Sequence, residues 1–205
     1  MDSTVIYYTS NKENILFEKK IMERLKKSKG YLPLISVSQK PIKFGNCNIC
    51  VGDIGVSDGN AFKQMLIGCE RAKTDFVIFA EADTLYPPEY FQYEPKELKR
   101  YWFEDVYVWY PHSPMLQDNF FLKGRSDCGH IAGRKLAIKL LKEGKGRGMK
   151  YKGKYRPEKV QLENPIINIK TGDGMRPKTQ TALNPVSSLP YWGKVKSLQK
   201  EIFGT

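Results

Sequence analysis

Apolar residues along the chain fall into two rhythms. Short runs, Val5 to Tyr8, Leu34 to Val37, Asn48 to Val51, Phe76 to Ala80 (this one unbroken) and Val106 to Tyr110, are rich in strand formers and too short for typical helices. They predict buried strands. Between them, apolar positions recur at helical spacing: Phe17, Ile21 and Leu25 within Glu13 to Lys29, Phe62, Met65, Leu66 and Cys69 within Asn60 to Lys73, and Leu136, Ala137, Leu140 and Leu141 within Arg134 to Lys142. Each set makes one face of an amphipathic helix. Ser10 or Asn11 is the expected cap of the first helix and Gly30 its stop, and Asp58 is the expected cap of the second. Ile166, Ile167 and Ile169 add a strand within Pro165 to Thr171, and the tail from Ser187 to Phe203 is amphipathic and expected to pack against the domain. Strands alternating with helices predict an α/β fold with a mostly parallel sheet, whose ligands collect at the carboxyl ends of the strands.

One of these runs ends in acid. Phe76 to Ala80 is followed at once by Glu81 and Asp83, which alternation at period two places on the same side of the emerging chain. Paired carboxylates suit Mg²⁺ or Mn²⁺, which take their remaining ligands from water and phosphate and so neutralise a diphosphate. A bare E-x-D is common, and its competing reading is two solvated residues opening a loop. The buried strand before the pair, the Pro87-Pro88 step after it and the preceding helix argue for the site. Upstream, GDIGVSDGN from Gly52 to Asn60 is a flexible turn at another strand's carboxyl end, where Asp53 is a candidate to hydrogen-bond a ribose or base.

The stretch NAFKQMLIGCERAKTDFVIFAEADTLYPPEYF, Asn60 to Phe91, resembles the core of GT-A-type nucleotide-sugar-dependent glycosyltransferases, especially the family-2-like group. It is most similar to small phage-type members with an E-H-D motif, whose middle residue is Ala82 here. The likeness covers the first two-thirds of the chain well and the last third loosely. It implies a single GT-A-like (Rossmann-like) domain over 1–205, with a nucleotide-sugar part at 1–110 and an acceptor part at 111–205 that carries a basic loop at 143–159. It further implies a nucleotide diphosphate sugar donor, a UDP-sugar by preference, and a metal on Glu81 and Asp83. By the same likeness Tyr8, Thr9, Ser10 and Asn11 lie beside the nucleoside, with a capped turn as the competing reading, and Lys63 runs toward the donor phosphates. The likeness also implies a hexosyl transfer that inverts the anomeric centre, with a general base in the acceptor part for which Asp127 is the first candidate and Asp118 the second. Relatives place a histidine over the metal and diphosphate. The matching position holds Thr171, which leaves Asp173 as the replacement ligand and Lys170 and Arg176 as candidates to bind the diphosphate directly.

Composition narrows the classes. The 205 residues, 40% hydrophobic and 12% aromatic, suit one folded domain with a real core. No apolar run is long enough to span a bilayer and Met1 to Ser10 lacks signal-peptide character, so the expected location is cytoplasmic, in a bacterial or phage-infected cell. Cys47, Cys50, Cys69 and Cys128 are too scattered for a disulfide framework and are expected as buried thiols; a zinc site from the C-x-x-C pair with Cys128 and His130 is the lesser reading. With only His112 and His130 present, hydrolases built on histidine clusters are disfavoured. Of the nine aromatic residues between Tyr90 and Tyr110 most are expected in the core, leaving one or two of Trp102, Trp109 and Tyr110 for a ligand.

Charge separates the two ends of the chain. Of 34 Lys and Arg and 22 Asp and Glu residues, 17 and 17 precede Arg134, so the last third holds 17 basic against 5 acidic and the whole net charge of +12. Lys145, Arg147, Lys150, Lys152, Lys154 and Arg156, interleaved with Tyr151 and Tyr155, can grip phosphates and stack on an exposed base, or form a solvated charge run. In the fold that the chain resembles this basic third lies where the acceptor is admitted, so the resemblance and the charge together favour a nucleic-acid acceptor, such as a hydroxymethylated base in phage-like DNA. The alternatives are a saccharide or lipid-linked acceptor, and a non-catalytic nucleic-acid-binding protein.

Overall fold

Ser3 to Thr9 (β1) is apolar enough on both faces that all seven residues are buried, and the architecture grows outward from it. The computed structural model of the protein describes residues 2–124, 126–149, 155–172 and 185–204. After β1 come α1 (Ile15–Ser28), β2 (Leu34–Ser38), β3 (Cys47–Cys50), α2 (Asp58–Arg71), β4 (Phe76–Glu81), β5 (Thr84–Leu85) and α3 (Pro88–Gln92). Then follow β6 (Arg100–Phe103), β7 (Val106–Trp109), β8 (Phe120–Leu122), β9 (His130–Gly133), α4 (Arg134–Gly144), β10 (Glu158–Val160), β11 (Ile166–Ile169), β12 (Ser188–Leu189), β13 (Gly193–Lys194) and α5 (Val195–Phe203).

The main sheet has the strand order β10-β6-β9-β4-β1-β2-β3. β1, β2, β3 and β4 run parallel, and β9 runs against both β4 and β6. From β1 the chain moves outward through β2 to β3, then returns by α2 to lay β4 on the other side of β1. The reversal opens a crevice at the carboxyl ends of β1 and β4, where open α/β sheets bind ligands. A second sheet, β5-β11-β7-β8, stands beside that crevice, and β11 pairs with β5 just after the acidic pair, Asn168 opposite Thr84.

Capping departs from expectation in both helices. Asn14 caps α1, its side chain accepting from the amides of Leu16 and Phe17, and Ser57 caps α2 by accepting from Asn60. Asn11 instead turns the chain at φ 53° and accepts from the amides of Gln39 and Lys40, which ties the end of β1 to the end of β2. Asp58 falls in the first turn of α2, where its charge complements the helix dipole. α2 lies so close to β1 that a Cβ on Gly68 would overlap the side chain of Ile6.

The aromatic segment is mostly core, with Tyr93 and Tyr107 partly buried against it. Trp102 donates its ring N–H to Ser126 O at 3.0 Å, Trp109 donates to Gln117 O at 2.8 Å, and both rings are buried with Tyr110, so none of the three is presented to a ligand. The cysteines divide: Cys69 and Cys128 are buried free thiols, whereas Cys47 and Cys50 lie on β3, the last strand of the sheet, with Cys47 half-buried and Cys50 exposed. The tail helix α5 packs on α1, with Phe17 and Phe203 stacked at 5.4 Å and Arg24 paired with Glu201. Among the described residues no helix is long and apolar enough to cross a membrane.

Candidate active site

The register of β1 on β4 sets Tyr8 directly beside Glu81, and the Tyr8 hydroxyl donates to Glu81 Oε1 at 2.7 Å. Glu81 closes β4, so its backbone is held by the sheet while its half-buried side chain meets the Tyr8 phenol. Its own amide donates to Tyr86 Oη at 2.9 Å, and that hydroxyl donates in turn to Cys128 O at 2.8 Å. Burial first, and the neighbouring Asp83 second, raise the Glu81 carboxyl from 4.5 to about 7, against the opposing influence of Lys170 and the Tyr8 hydrogen bond.

Asp83 is fixed from three directions. Its Oδ1 accepts from Asn168 Nδ2 at 2.9 Å and from Thr84 Oγ1 at 3.0 Å, and its Oδ2 faces Lys170 Nζ at 3.1 Å. The strand β11 delivers both partners: Ile169 donates its amide to Asp83 O at 2.7 Å, and Lys170 donates its own to Trp109 O at 2.8 Å. The side chains of Lys170 and Asp83 are 24% and 21% exposed, so this pair is much drier than an ordinary surface ion pair. Burial works against the Lys170 ammonium, but the carboxylates of Asp83 and Glu81 outweigh it and raise its pKa.

Asp83 and Lys170 open into a cleft of about 480 Å³, in the range of small-molecule sites. Lys12, Glu13 and Asn14 line one wall, Val56 the rim before α2, and His112 and Phe203 the far side. Thr171, at the position where a histidine was expected, donates to Glu13 Oε2 at 2.6 Å, and burial raises the Glu13 carboxyl.

The other sequence candidates distribute unevenly. Of the first turn, Tyr8 is engaged with Glu81, Thr9 is buried and accepts from the Asn11 amide at 2.9 Å, Asn11 serves β2, and Ser10 is half-buried. Asp53 sits at the rim, paired with Lys12 at 3.3 Å, which holds its carboxyl below the usual range. Lys63 lies on another flank, in a groove of about 330 Å³ between α2 and α4 with Phe62, Leu66, Leu141, Lys142 and Lys145. Its neighbour Gln64 is buried and donates to Thr9 O and Val37 O at 2.8 and 2.9 Å, clamping the strand ends. Asp127 stands one residue before Cys128, on the turn joined through Tyr86 to the Glu81 amide. Asp118 is exposed in the connection from β7 to β8. Arg147 follows Gly146, whose carbonyl a Cβ on Gly59 would approach to 3.2 Å, so this part of the basic loop rests on the start of α2. Arg156 is exposed, and Lys150, Lys152, Lys154, Asp173 and Arg176 lie outside the described residues.

His130 is a core residue: its Nδ1 is 2.7 Å from Asp127 O, its ring stacks on Phe79 at 4.3 Å, and burial with the nearby Arg100 lowers it to about 4. Being neutral with Nδ1–H donating, it leaves Nε2 buried and without a partner among the described residues. His112, which the sequence offers with His130 as a possible base or ligand or as a plain loop residue, lines the cleft, whereas sequence reasoning missed Glu13 and Phe203 as cleft residues. Glu13 immediately follows the strand-end turn and was within reach of the argument, whereas Phe203 arrives from the tail by packing alone.

Among the described residues no group of three or more His, Cys, Asp or Glu side chains is placed to hold a metal, so any such ion would rest on Glu81 and Asp83 with phosphate and water completing it. The pair fits that role, since Asp83 Oδ2 already faces a cation and burial, with Asp83 beside it, makes the Glu81 carboxyl costly to ionise without one.

No known family's sequence profile matches the chain, and no curated protein matches it. Among solved structures it is similar to a glycosyltransferase involved in the glycosylation of the major capsid of PBCV-1, at 7% identity and TM-score 0.51, over 82% of this chain and 93% of that one. It is also similar to HddC from Yersinia pseudotuberculosis (11% identity, TM-score 0.49, 82% of this chain, 93% of that) and to residues 1–349 of S. aureus TarS (12%, 0.45, 82% and 60%). The first of these likenesses is one of fold: a mixed, mostly parallel sheet flanked by helices, the GT-A-like arrangement, here in a single domain.

Proposed function

We propose that this chain transfers a sugar from a nucleotide diphosphate sugar, uridine-based, to an acceptor hydroxyl, with the diphosphate seated where Asp83 and Lys170 meet the cleft. The observation that carries the reading is an acid pair at the end of a buried strand, facing a lysine, at the switch point of a GT-A-like sheet. A Mn²⁺ or Mg²⁺ held by Glu81 and Asp83 would supply positive charge to the departing diphosphate. Lys170 adds a charged donor to the same oxygens, and Asp173 and Arg176 keep their proposed parts as further ligand and phosphate contact. Tyr8, Thr84 and Asn168 hold the two carboxylates in place, so that little reorganisation is required when charge develops. Transfer with inversion breaks the bond from the anomeric carbon to the diphosphate oxygen and forms one from the acceptor oxygen. The acceptor's proton passes to a carboxylate, for which Asp127 is assigned first and Asp118 second.

The acceptor proposed is a hydroxymethylated base in phage-like DNA, flipped out of its stack to reach the cleft. The position of Lys145 and Arg147 against the start of α2, close to the rim residue Val56, supports it. The test is incubation with a panel of nucleotide sugars, divalent metal and hydroxymethylated DNA, followed by mass spectrometry of the digested nucleosides. A hexose added to the modified base supports the reading in full. Metal-dependent hydrolysis of a UDP-sugar that disappears in Glu81→Ala and Asp83→Ala, without nucleoside product, would keep the enzyme and turn the acceptor toward a saccharide or lipid-linked hydroxyl. DNA binding with neither reaction would make the chain a non-catalytic nucleic-acid binder.

A further inference from the structure

The ion pair between Lys170 and Asp83 stands on the point that a metal would need. Asp83 Oδ1 is taken by Asn168 and Thr84, which leaves Oδ2 as the oxygen turned toward the cleft, and Lys170 Nζ lies 3.1 Å from it. A Mg²⁺ bound to the same oxygen would sit at roughly 2.0–2.1 Å. An ammonium and a divalent ion compete for that oxygen, because like charges this close in a half-dry site repel strongly. The backbone of Lys170 is pinned, its amide on Trp109 O at 2.8 Å with Ile169 on Asp83 O at 2.7 Å, while its four-carbon stem ends in the cleft. The side chain can therefore leave Asp83 without moving the strand that carries it.

Resting on the donor-site reading above, we infer that Lys170 is an exchangeable internal cation: it occupies Asp83 while the cleft is empty and yields that carboxylate to the divalent ion only when a diphosphate enters to receive the ammonium. Two consequences follow. The ion alone binds weakly, because it must first evict Lys170 and leave a half-buried ammonium without a partner. The ion and the diphosphate bind cooperatively, because the evicted ammonium gains phosphate oxygens in place of Asp83. Metal occupancy is thereby tied to the presence of donor.

Mn²⁺ binding by the full chain, followed by electron paramagnetic resonance of the free ion at fixed ionic strength, tests this without reference to turnover. Lys170→Gln is expected to bind Mn²⁺ about tenfold more tightly than the unaltered chain, and Lys170→Arg to bind it no more tightly. Saturating UDP is expected to tighten Mn²⁺ binding in the unaltered chain much more than in Lys170→Gln, which closes the gap. Lys170→Met, which keeps the stem, repeats the comparison should the glutamine variant melt early. Equal Mn²⁺ affinity with and without the lysine, lost in Asp83→Asn, would overturn the exchange and leave the metal-assisted donor site standing. Tight binding that survives in the double variant Asp83→Asn with Lys170→Gln would place the ion elsewhere and overturn it as well. Absence of Mn²⁺ binding in every variant, even with UDP, would remove the metal from the donor site and the exchange with it.

Discussion

Tyr8 and Glu81 are register partners on adjacent parallel strands, and the phenol of one donates to the carboxyl of the other at 2.7 Å. A carboxyl group emerging from a buried strand needs donors to remain ionised, and Tyr8, itself only 5% exposed, is the neighbour positioned to give one. Replacing it by phenylalanine keeps the ring in the core and removes only the donor. Tyr8→Phe is expected to lower stability by about 1–3 kcal/mol at pH 8, the cost of a hydrogen bond to a charged group, and to raise the Glu81 carboxyl further. Urea denaturation of the two proteins checks it, and an unchanged midpoint would mean that water takes over from the phenol.

The Glu81 carboxyl also makes a signed prediction about pH. Its folded value, about 7, lies above its ordinary 4.5, so between these the folded protein keeps a proton that the unfolded chain has released. Stability from this group falls as pH rises through that window, and the full penalty is present above pH 7. His130 acts in the opposite direction: held neutral with a folded value of about 4 against 6.5, it loses stability as pH falls between those values. Because both proteins share His130, the difference between Glu81→Gln and the unaltered chain isolates the carboxyl. Melting temperatures are expected to coincide near pH 4.5 and to favour Glu81→Gln by several degrees at pH 8 in metal-free buffer. A difference that does not change with pH would refute the shift.

The parts of the site that could be read from the chain are those set by local pattern. The run Phe76 to Ala80 reads as a buried strand and forms one, and it carries Glu81 at its end, with Asp83 following on the turn. What completes the site depends on pairing across long stretches of chain. Tyr8 meets Glu81 through the register of β1 on β4, and Lys170 meets Asp83 because β11 pairs with β5; neither register is written near the residues concerned. The caps failed for a related reason. Asn11 has the chemistry of a cap, but its side chain accepts from Gln39 and Lys40 across the sheet, and Asn14 was left to start the helix. The aromatic segment misled because the N–H groups of Trp102 and Trp109 find backbone carbonyls in their own neighbourhood, which removes the reason to expose them.

Packing of α2 on β1 carries the geometry of the crevice, and Gly68 makes that approach possible. The Cβ of an alanine there would run into Ile6, which is wholly buried and has no room to yield, with Val37 close behind it. Gly68→Ala should gain helix propensity in isolation and still lose stability overall, by about 1–3 kcal/mol, the usual cost of overpacking. The Gln64 clamp on Thr9 and Val37 sits one turn earlier on the same helix, so displacement of α2 is also expected to weaken donor-nucleotide binding. Thermal melts and nucleotide titration check the two effects, and a variant as stable as the parent would show that the helix can slide.

The acceptor is where charge decides between readings. Lys145 ends α4 in the left-handed conformation, and with Lys63 and Lys142 it borders a groove floored by Phe62 and Leu66, while Lys142 is partly answered by Glu70 at 2.8 Å. Cations gathered over an apolar and aromatic floor suit a polyanion better than a neutral sugar, since each phosphate neutralised releases a counterion. If duplex DNA is the acceptor, its affinity falls steeply with salt, and replacing Lys145 and Arg147 together by alanine lowers the slope of log K against log salt by about 2. The loss should be the same for any base sequence, because these side chains meet phosphates and not base edges. UDP-sugar hydrolysis at the Asp83 cleft should persist in the same double variant, as neither residue lines it. Fluorescence anisotropy across a salt series measures the slope, and a binding curve indifferent to salt in the unaltered chain would transfer the acceptor role to an uncharged saccharide.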